Sequence, residues 1–255
     1  MTNSPAAAST APVSTKPSEN TIFFFQKLNV TAFVVCIILQ KMHEKCAVTN
    51  LRDMNMKWEI KFHPASYAFG VIWGLIYLLL LVFVVYQALP ESMVSGRNDQ
   101  FLYSEVGYWF LANMMLNGIW LIVFVRDSKW MFLLAELVNA ALLYTCVTIM
   151  ALSCRAELNT FEAIVIRSGF SLYAGWVTAA NVLNIFFAIK SWKSPSVEDD
   201  DFKAIKEEAD AAESSLTAKA LWFCALLYTA VSIEELNPVY GLVFIHVLKA
   251  IEVAQ

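Results

Sequence analysis

The sequence predicts an all-α, polytopic membrane protein, on the evidence of its composition, the length of its apolar segments and the polar connections between them. Hydrophobic residues make up 58% of the 255 residues and charged residues only 16%, whereas soluble domains average about 45–50% and about 25%. The mean hydropathy is +0.56, and a chain this small cannot bury so much apolar surface in water. The same composition excludes disorder over most of the length.

Seven apolar stretches approach the roughly 20 residues that a helix needs to cross the bilayer core. They are residues 22–39, 67–89, 106–125, 130–152, 168–189, 218–233 and 238–253. The second ends at Leu89-Pro90, because proline cannot continue the helical hydrogen-bond ladder. The last is short and carries His246, Lys249 and Glu252, so whether it crosses stays open.

The connections divide the chain into four parts. The first 20 residues are rich in Ala, Ser, Thr and Pro, which predicts a disordered tail. The segment between the fifth and sixth stretches is acidic, which predicts a solvated linker or a short surface helix. The predicted parts are a tail (1–20), a five-helix membrane core (21–192), an acidic linker (193–217) and one or two additional transmembrane helices (218–255).

The distribution of basic residues predicts the orientation, since short cytoplasmic loops carry an excess of Lys and Arg. With seven spans, one side carries five basic residues and the other carries thirteen. Residues 40–63 and 190–217 lie on the basic side and are predicted to be cytosolic. The net charge of −4 leaves no large basic surface for nucleic acid.

The sequence lacks the motifs of common catalytic and metal sites. It contains no nucleophile elbow, phosphate-binding glycine loop or HExxH motif. Its three His have no helical i, i+4 partner and its five Cys show no CxxC spacing. We therefore predict no catalytic residue, no metal ligand, no obligatory cofactor and no enzymatic role, with an enzyme acting on a lipid or pigment kept as an alternative.

The third and fifth stretches each carry a stripe of aromatic and amide side chains. The stripes are Trp109, Asn113, Asn117 and Trp120, and then Tyr173, Trp176, Ala180, Leu183 and Asn184. Amides need partners in lipid, so both stripes should face other helices. They predict either an aromatic-walled cavity for a flat, apolar ligand or helix packing held by amides, and spacing alone does not decide between them.

Two further features lie within apolar stretches. Glu136 stands in the fourth stretch beside Asn139, where a carboxyl group either packs structurally or serves a ligand or a proton. Gly70 and Gly74 form a small-xxx-small pair in the second stretch, which allows close helix approach. We expect this pair to pack within the chain, with a homodimer as the alternative.

The stretch from Trp58 to Tyr77, WEIKFHPASYAFGVIWGLIY, resembles the start of the second helix in the translocator protein family, also called the tryptophan-rich sensory proteins. Asn117-Gly-Ile-Trp120 resembles the third-helix pattern Asn-x-x-Trp of that family. The fifth-helix pattern Tyr-x-x-Trp-x-x-x-Ala-x-x-Leu-Asn matches from Tyr173 to Asn184 without a gap. The resemblance covers roughly residues 20–192, and the usual family prolines are replaced at Ala65, Ile72 and Leu172.

The resemblance implies a five-helix bundle with a pocket near the cytosolic face, capped by the connection between the first two helices. Family ligands include porphyrins, sterols and synthetic aromatic drugs. The pocket residues implied are Trp58, Trp73, Tyr77, Trp109, Asn113, Trp120, Tyr173, Trp176, Ala180 and Asn184, to which Asn117 and Glu136 are added as intramembrane polar candidates.

Together these features predict an integral membrane protein that binds a flat hydrophobic ligand, a tetrapyrrole or a sterol, with a sensing or transport role. The predicted partners are the lipid bilayer, such a ligand and a second copy of the chain. The alternative is an accessory subunit of a larger membrane complex without ligand chemistry of its own.

Overall fold

The computed structural model describes residues 16–48, 57–58, 60–193 and 202–254, and these ranges contain helices and connections but no strand. The long helices are α1 (Glu19–Cys46), α2 (Ser66–Ala88), α3 (Gly107–Phe124), α4 (Lys129–Arg155), α5 (Gly169–Lys193), α6 (Phe202–Glu234) and α7 (Pro238–Ala254). All seven apolar stretches are therefore helical, as predicted, and the all-α polytopic class is confirmed.

Six of the helical segments are long and apolar enough to cross a membrane, judged by length and composition. They are Glu19–His43, Ser66–Ala88, Gln100–Phe124, Lys129–Arg155, Thr160–Trp192 and Ala211–Glu234. The remaining helix, α7, has 17 residues and is about 26 Å long at 1.5 Å per residue. It runs from Asn237 at one end of the bundle to Ala65 at the other, so its 17 residues extend between the two ends of the molecule.

Local sequence signals explain where several helices begin. The Ser18 and Ser128 side chains accept hydrogen bonds from the backbone N–H groups of Thr21 and Met131, which caps α1 and α4. Pro238 stands at the first position of α7, where its missing N–H costs nothing. These caps place the helix ends close to the limits predicted from hydropathy.

Two helices begin further upstream than the apolar runs indicate. Gln100–Val106 and Ala163–Ser168 are π-helical segments that lead directly into α3 and α5. The second of these follows a capping box between Asn159 and Glu162. These segments extend both helices upstream of the apolar runs that start at 106 and 168.

The first five helices form a closed ring in the order α1, α2, α5, α4 and α3. The adjacent pairs in this ring contact each other, and α7 packs on the outside against α5 and α2. Helix α6 lies furthest out and packs mainly against α7. A five-helix core with two additional C-terminal helices is therefore observed, as predicted.

Helix α5 belongs to the ring and also contacts both C-terminal helices. In its most apolar 18-residue segment 72% of the residues are buried, whereas in that of α6 only 17% are buried. Small residues allow the close approach, since a Cβ added to Gly175 would lie 2.9 Å from Val243 Cγ2 and 3.2 Å from the Tyr240 carbonyl oxygen. One face of α5 therefore points into the ring while Gly175 receives α7.

The connections that carry most of the basic residues gather at one end of the bundle. Val48 N–H donates to the Val125 carbonyl (3.1 Å), and Ala65 N–H donates to the Ala250 carbonyl (2.9 Å). Lys61 contacts Glu213 at the same end. This grouping is the one expected if all seven helices run from end to end.

The opposite end is closed by a buried polar network. Arg97 forms an ion pair with Asp99 (2.6 Å) and donates to the Leu89 carbonyl. Glu162 is fully buried and accepts hydrogen bonds from the Tyr86 hydroxyl and the Asn98 N–H. These contacts tie the connections around Pro90 and Glu157 to the helix ends.

Two sequence-based expectations differ from the structure. The predicted linker 193–217 is largely helical, because α6 begins at Phe202 and its charged first turns continue the same helix; the acidic run 198–201 lies outside the described residues. Gly70 and Gly74 do not pack within the chain. Both are exposed on α2, and no described atom lies within 4 Å of an added Cβ.

Candidate functional site

A cavity of about 880 Å³ lies inside the ring, towards the end that carries the connection between α1 and α2. Side chains from α1, α2, α3 and α5 form its wall, and the last residues of the connection and of α7 complete it. The lining residues are Gln40, His63, Ala65, Ser66, Phe69, Trp73, Tyr77, Trp120, Leu121, Phe124, Trp176, Ala180, Leu183, Asn184, Phe187 and Ala254.

Stacked aromatic rings form most of this wall. The Trp73 ring is stacked on Tyr77 (5.6 Å between centroids, 26°) and on Trp120 (6.4 Å, 28°). Trp120 is stacked on Phe124 in turn (5.7 Å, 24°). A run of ring faces from α2 and α3 therefore borders one continuous apolar space.

A second group of rings closes the opposite wall. Phe69 meets Trp176 edge to face (5.1 Å, 85°), and Phe124 meets Phe187 in the same way (5.1 Å, 89°). These contacts join α2 to α5 and α3 to α5 across the cavity. They fix the ring positions without filling the space between them.

Three hydrogen-bond donors of this wall have no partner in the described part of the chain. They are the indole N–H groups of Trp120 and Trp176 and the amide Nδ2 of Asn184. Each belongs to a side chain that is at least 91% buried, and an unsatisfied buried donor is costly. The three nitrogen atoms are themselves buried behind the wall surface, so the cavity offers a ligand mainly ring faces.

An amide network connects three helices beside the cavity. Gln40 Nε2 donates to the Asn117 carbonyl oxygen (2.8 Å) and to Asn117 Oδ1 (3.1 Å). The Tyr77 hydroxyl donates to the same Oδ1 (3.5 Å). Asn117 thus ties α1, α2 and α3 together at the wall that Gln40 and Tyr77 line.

His63 lies at the mouth of the cavity, where the connection between α1 and α2 ends. Its ring stacks on Phe69 (5.4 Å, 28°). Burial lowers the pKa of His63 below its usual value, because desolvation disfavours the charged imidazolium. The neutral ring therefore serves as a flat part of the cavity wall.

Half of the predicted site residues meet at the cavity. Trp73, Tyr77, Trp120, Trp176, Ala180 and Asn184 all line it. They come from three different helices, and the stripe spacing on α3 and α5 accounts for the position of most of them. The other six lie elsewhere.

Trp58 and Trp109 belong to other contacts. The Trp58 indole donates to Asp127 Oδ1 (2.8 Å), which fastens the connection between α1 and α2 to the turn between α3 and α4. Trp109 meets the exposed Tyr144 ring edge to face (5.8 Å). Both rings serve contacts between segments and do not line the cavity.

The remaining polar candidates are placed between helices. Asn113 Nδ2 donates to Thr145 Oγ1 (2.8 Å) and joins α3 to α4, and Asn117 forms the network described above. Tyr173 is fully buried against Trp73 (5.9 Å). Glu136 is half-buried in α4, with Oε2 lacking a partner among the described residues.

Several lining residues were missed by the sequence analysis. Phe124 follows Trp120 by one turn and Phe187 follows Asn184 by three residues, so extending both stripes would have found them. Phe69 likewise precedes Trp73 by one turn. Gln40, His63 and Ala254 lie far apart in sequence, and only the folded arrangement brings them to the cavity.

In the described ranges no group of three His, Cys, Asp or Glu could hold a metal ion.

These features define a multi-pass, all-helical integral membrane protein with an aromatic-walled interior cavity. Residues 26–255 match the family model described as TSPO-like protein, and the chain belongs to this family. The match includes α6 and α7, so both C-terminal helices lie within the family's own extent. No curated protein and no solved structure matches the chain.

Proposed function

We propose that the protein binds a flat, mostly apolar ligand, a tetrapyrrole or a sterol, in this cavity, and that binding serves sensing or transport. The observation that carries the proposal is the run of stacked ring faces that borders a space of about 880 Å³. Pockets for small molecules usually measure about 300–1,000 Å³. We propose no chemical step by the protein itself.

Physical estimates support such a ligand. Apolar burial contributes about 25 cal/mol per Å², and each well-placed aromatic contact adds about 0.5–1.5 kcal/mol. The N–H groups of Trp120, Trp176 and Asn184 have no partner among the described residues, and we propose that small side-chain rotations bring them to carbonyl or carboxylate groups at the ligand's edge. The ring faces thus favour binding in general, and the donors select for acceptors.

The test is titration of the purified protein with protoporphyrin IX, followed by quenching of tryptophan fluorescence. The double variant Trp120→Ala, Trp176→Ala should weaken binding at least about tenfold, since two ring contacts and two donors are lost. The variant Trp120→Phe, Trp176→Phe retains the rings but lacks the donors, and should show an intermediate affinity.

Trp109→Ala is the matched control, because Trp109 lies on α3 but does not line the cavity. It should leave the affinity unchanged. An unaltered affinity in the double alanine variant, or an equal loss in the Trp109 variant, would contradict binding in this cavity.

A structural role in a larger assembly is the second candidate, favoured by two exposed surfaces. Helix α6 presents Trp222, Phe223 and Leu226, which are 61–73% exposed. Gly70 and Gly74 leave α2 open to a close helix contact with a second copy. Stable co-purification with other proteins, together with no binding of any flat ligand, would favour this role.

A further inference from the structure

The end of the connection between α1 and α2 forms the mouth of the cavity. We call residues 60–66 the mouth segment, and three of its members, His63, Ala65 and Ser66, line the cavity. Phe62 is 1% exposed and stacks on Phe186 of α5 (5.4 Å, 4°). The position of this segment therefore determines how the cavity meets the surrounding water.

Helix α6 contacts the mouth segment through Glu213 and Ser214. Glu213 Oε1 accepts a hydrogen bond from the Lys61 backbone N–H (2.9 Å), and Glu213 Oε2 pairs with Lys190 Nζ of α5 (2.9 Å). Ser214 Oγ also contacts Lys61 Nζ (2.8 Å). The Glu213 side chain is only 13% exposed, so its two contacts are partly shielded from water and are charge-assisted.

Helix α7 holds the same segment from the other side. The Ala65 N–H donates to the Ala250 carbonyl oxygen (2.9 Å), and Ala254 lines the cavity itself. Both helices thus reach the seven residues of the mouth segment from outside the five-helix ring.

The base of this helix pair is fixed to α5. The Thr178 and Tyr240 hydroxyl groups are 2.8 Å apart, and the Tyr228 hydroxyl donates to the Gly175 carbonyl oxygen. Both tyrosines are at least 98% buried. The helix pair is thus anchored to α5 near the turn that joins α6 to α7, and it reaches the mouth segment with polar contacts at its far end.

We infer that α6 and α7 form a clamp that holds the mouth segment against the bundle and limits the access of water to the cavity, with Glu213 as its positioning residue. Loss of the Glu213 contacts loosens the mouth segment at Lys61, while the walls that the ring helices contribute stay in place. As a control of ligand access this inference rests on the proposed function, because access matters only if the cavity takes a ligand.

The experiment measures opening without any ligand. A cysteine is introduced at Ala180 on the cavity wall, and its reaction with a charged, water-borne thiol reagent is timed against the same protein without this cysteine. In this background Glu213→Ala should raise the rate about tenfold, the effect of losing a charge-assisted hydrogen bond. Glu213→Gln keeps an oxygen for the Lys61 N–H and should give a smaller rise.

Glu234→Gln is the matched control, since Glu234 is exposed near the opposite end of α6. It should leave the rate unchanged, and Lys190→Met should reproduce most of the Glu213→Gln effect if Glu213→Ala fails to fold. Equal rates in the Glu213 variants and the parent, or an equal rise in the Glu234 variant, would overturn the clamp.

Protoporphyrin IX binding separates the two proposals. A faster reaction at position 180 in the Glu213 variants supports the clamp even if the porphyrin does not bind, in which case the proposed function fails alone. Unchanged rates with normal porphyrin binding leave the proposed function standing and overturn the clamp alone.

Discussion

Single side chains in this protein divide into those that border the cavity and those that join helices. The amides show the division most clearly. Asn184 lines the cavity and its amide nitrogen has no partner among the described residues, whereas Asn113 donates a hydrogen bond to Thr145 between α3 and α4. Both amides were expected to line the ligand cavity. The sequence alone shows which face of a helix an amide occupies, but it does not show which group the amide contacts in the folded protein.

At residue 63 the structure predicts a dependence of stability on pH. Burial lowers the pKa of His63 in the folded state from its ordinary value of 6.5. The unfolded chain therefore binds a proton first as the pH falls, and the free energy of unfolding decreases below about pH 6.5 until the folded state is protonated too. Above that range His63 is neutral in both states and has no effect.

The measurement compares thermal unfolding of the wild type and His63→Gln in detergent between pH 8 and pH 5. The wild type should lose stability relative to the variant on acidification. A difference in midpoint that stays constant over this range would show that His63 is not buried as a neutral ring.

The cavity residues that could be predicted from spacing lie along one face of a single helix. Trp120 on α3, and Trp176 and Asn184 on α5, were found because their spacing follows a helical stripe. Trp58 was expected at the cavity by resemblance, yet Asp127 holds it aside through a bond to its indole N–H. Such a contact between two connections leaves no periodic pattern in the sequence.

Among the elements, the docking of α7 on α5 depends on the absence of one side chain. A Cβ at position 175 would lie 2.9 Å from Val243 and 3.2 Å from a backbone oxygen that cannot move independently. Gly175→Ala should therefore destabilise the protein by about 1–3 kcal/mol, the usual cost of overpacking.

Gly74→Ala is the matched substitution, because no described atom lies within 4 Å of a Cβ at position 74. Thermal or denaturant unfolding in detergent should show a loss for the Gly175 variant and none for the Gly74 variant. Equal stability of both variants would contradict the close contact between α5 and α7.

Most helices could be predicted because the bilayer demands long apolar runs whatever their packing. The exceptions have a common cause. The π-helical segments before α3 and α5 and the charged start of α6 are helical without being continuously apolar. Hydropathy identifies the membrane-spanning part of a helix and misses what projects beyond it.

For the molecule as a whole, the charge count predicts that the end carrying the cavity mouth faces the cytosol. Glycosylation mapping tests this: Ser92→Asn with Val94→Thr creates an acceptor at one end, and Ser196→Asn with Glu198→Thr creates one at the other. Only the first should be glycosylated in microsomes. Modification of the second alone would reverse the orientation.

The hydrogen bond between Ala65 and Ala250 runs from main chain to main chain. At this position translocator proteins usually carry the second of two prolines, and proline has no N–H to donate. A change of side chain at either position therefore leaves this hydrogen bond intact, except for proline at 65; the cavity wall at Ala65 and the burial of Ala250 limit the size of the side chain independently. Relatives that have the two C-terminal helices are therefore expected to lack proline at the position of Ala65. Relatives with five helices have no α7 carbonyl to bind this N–H, so proline is acceptable there.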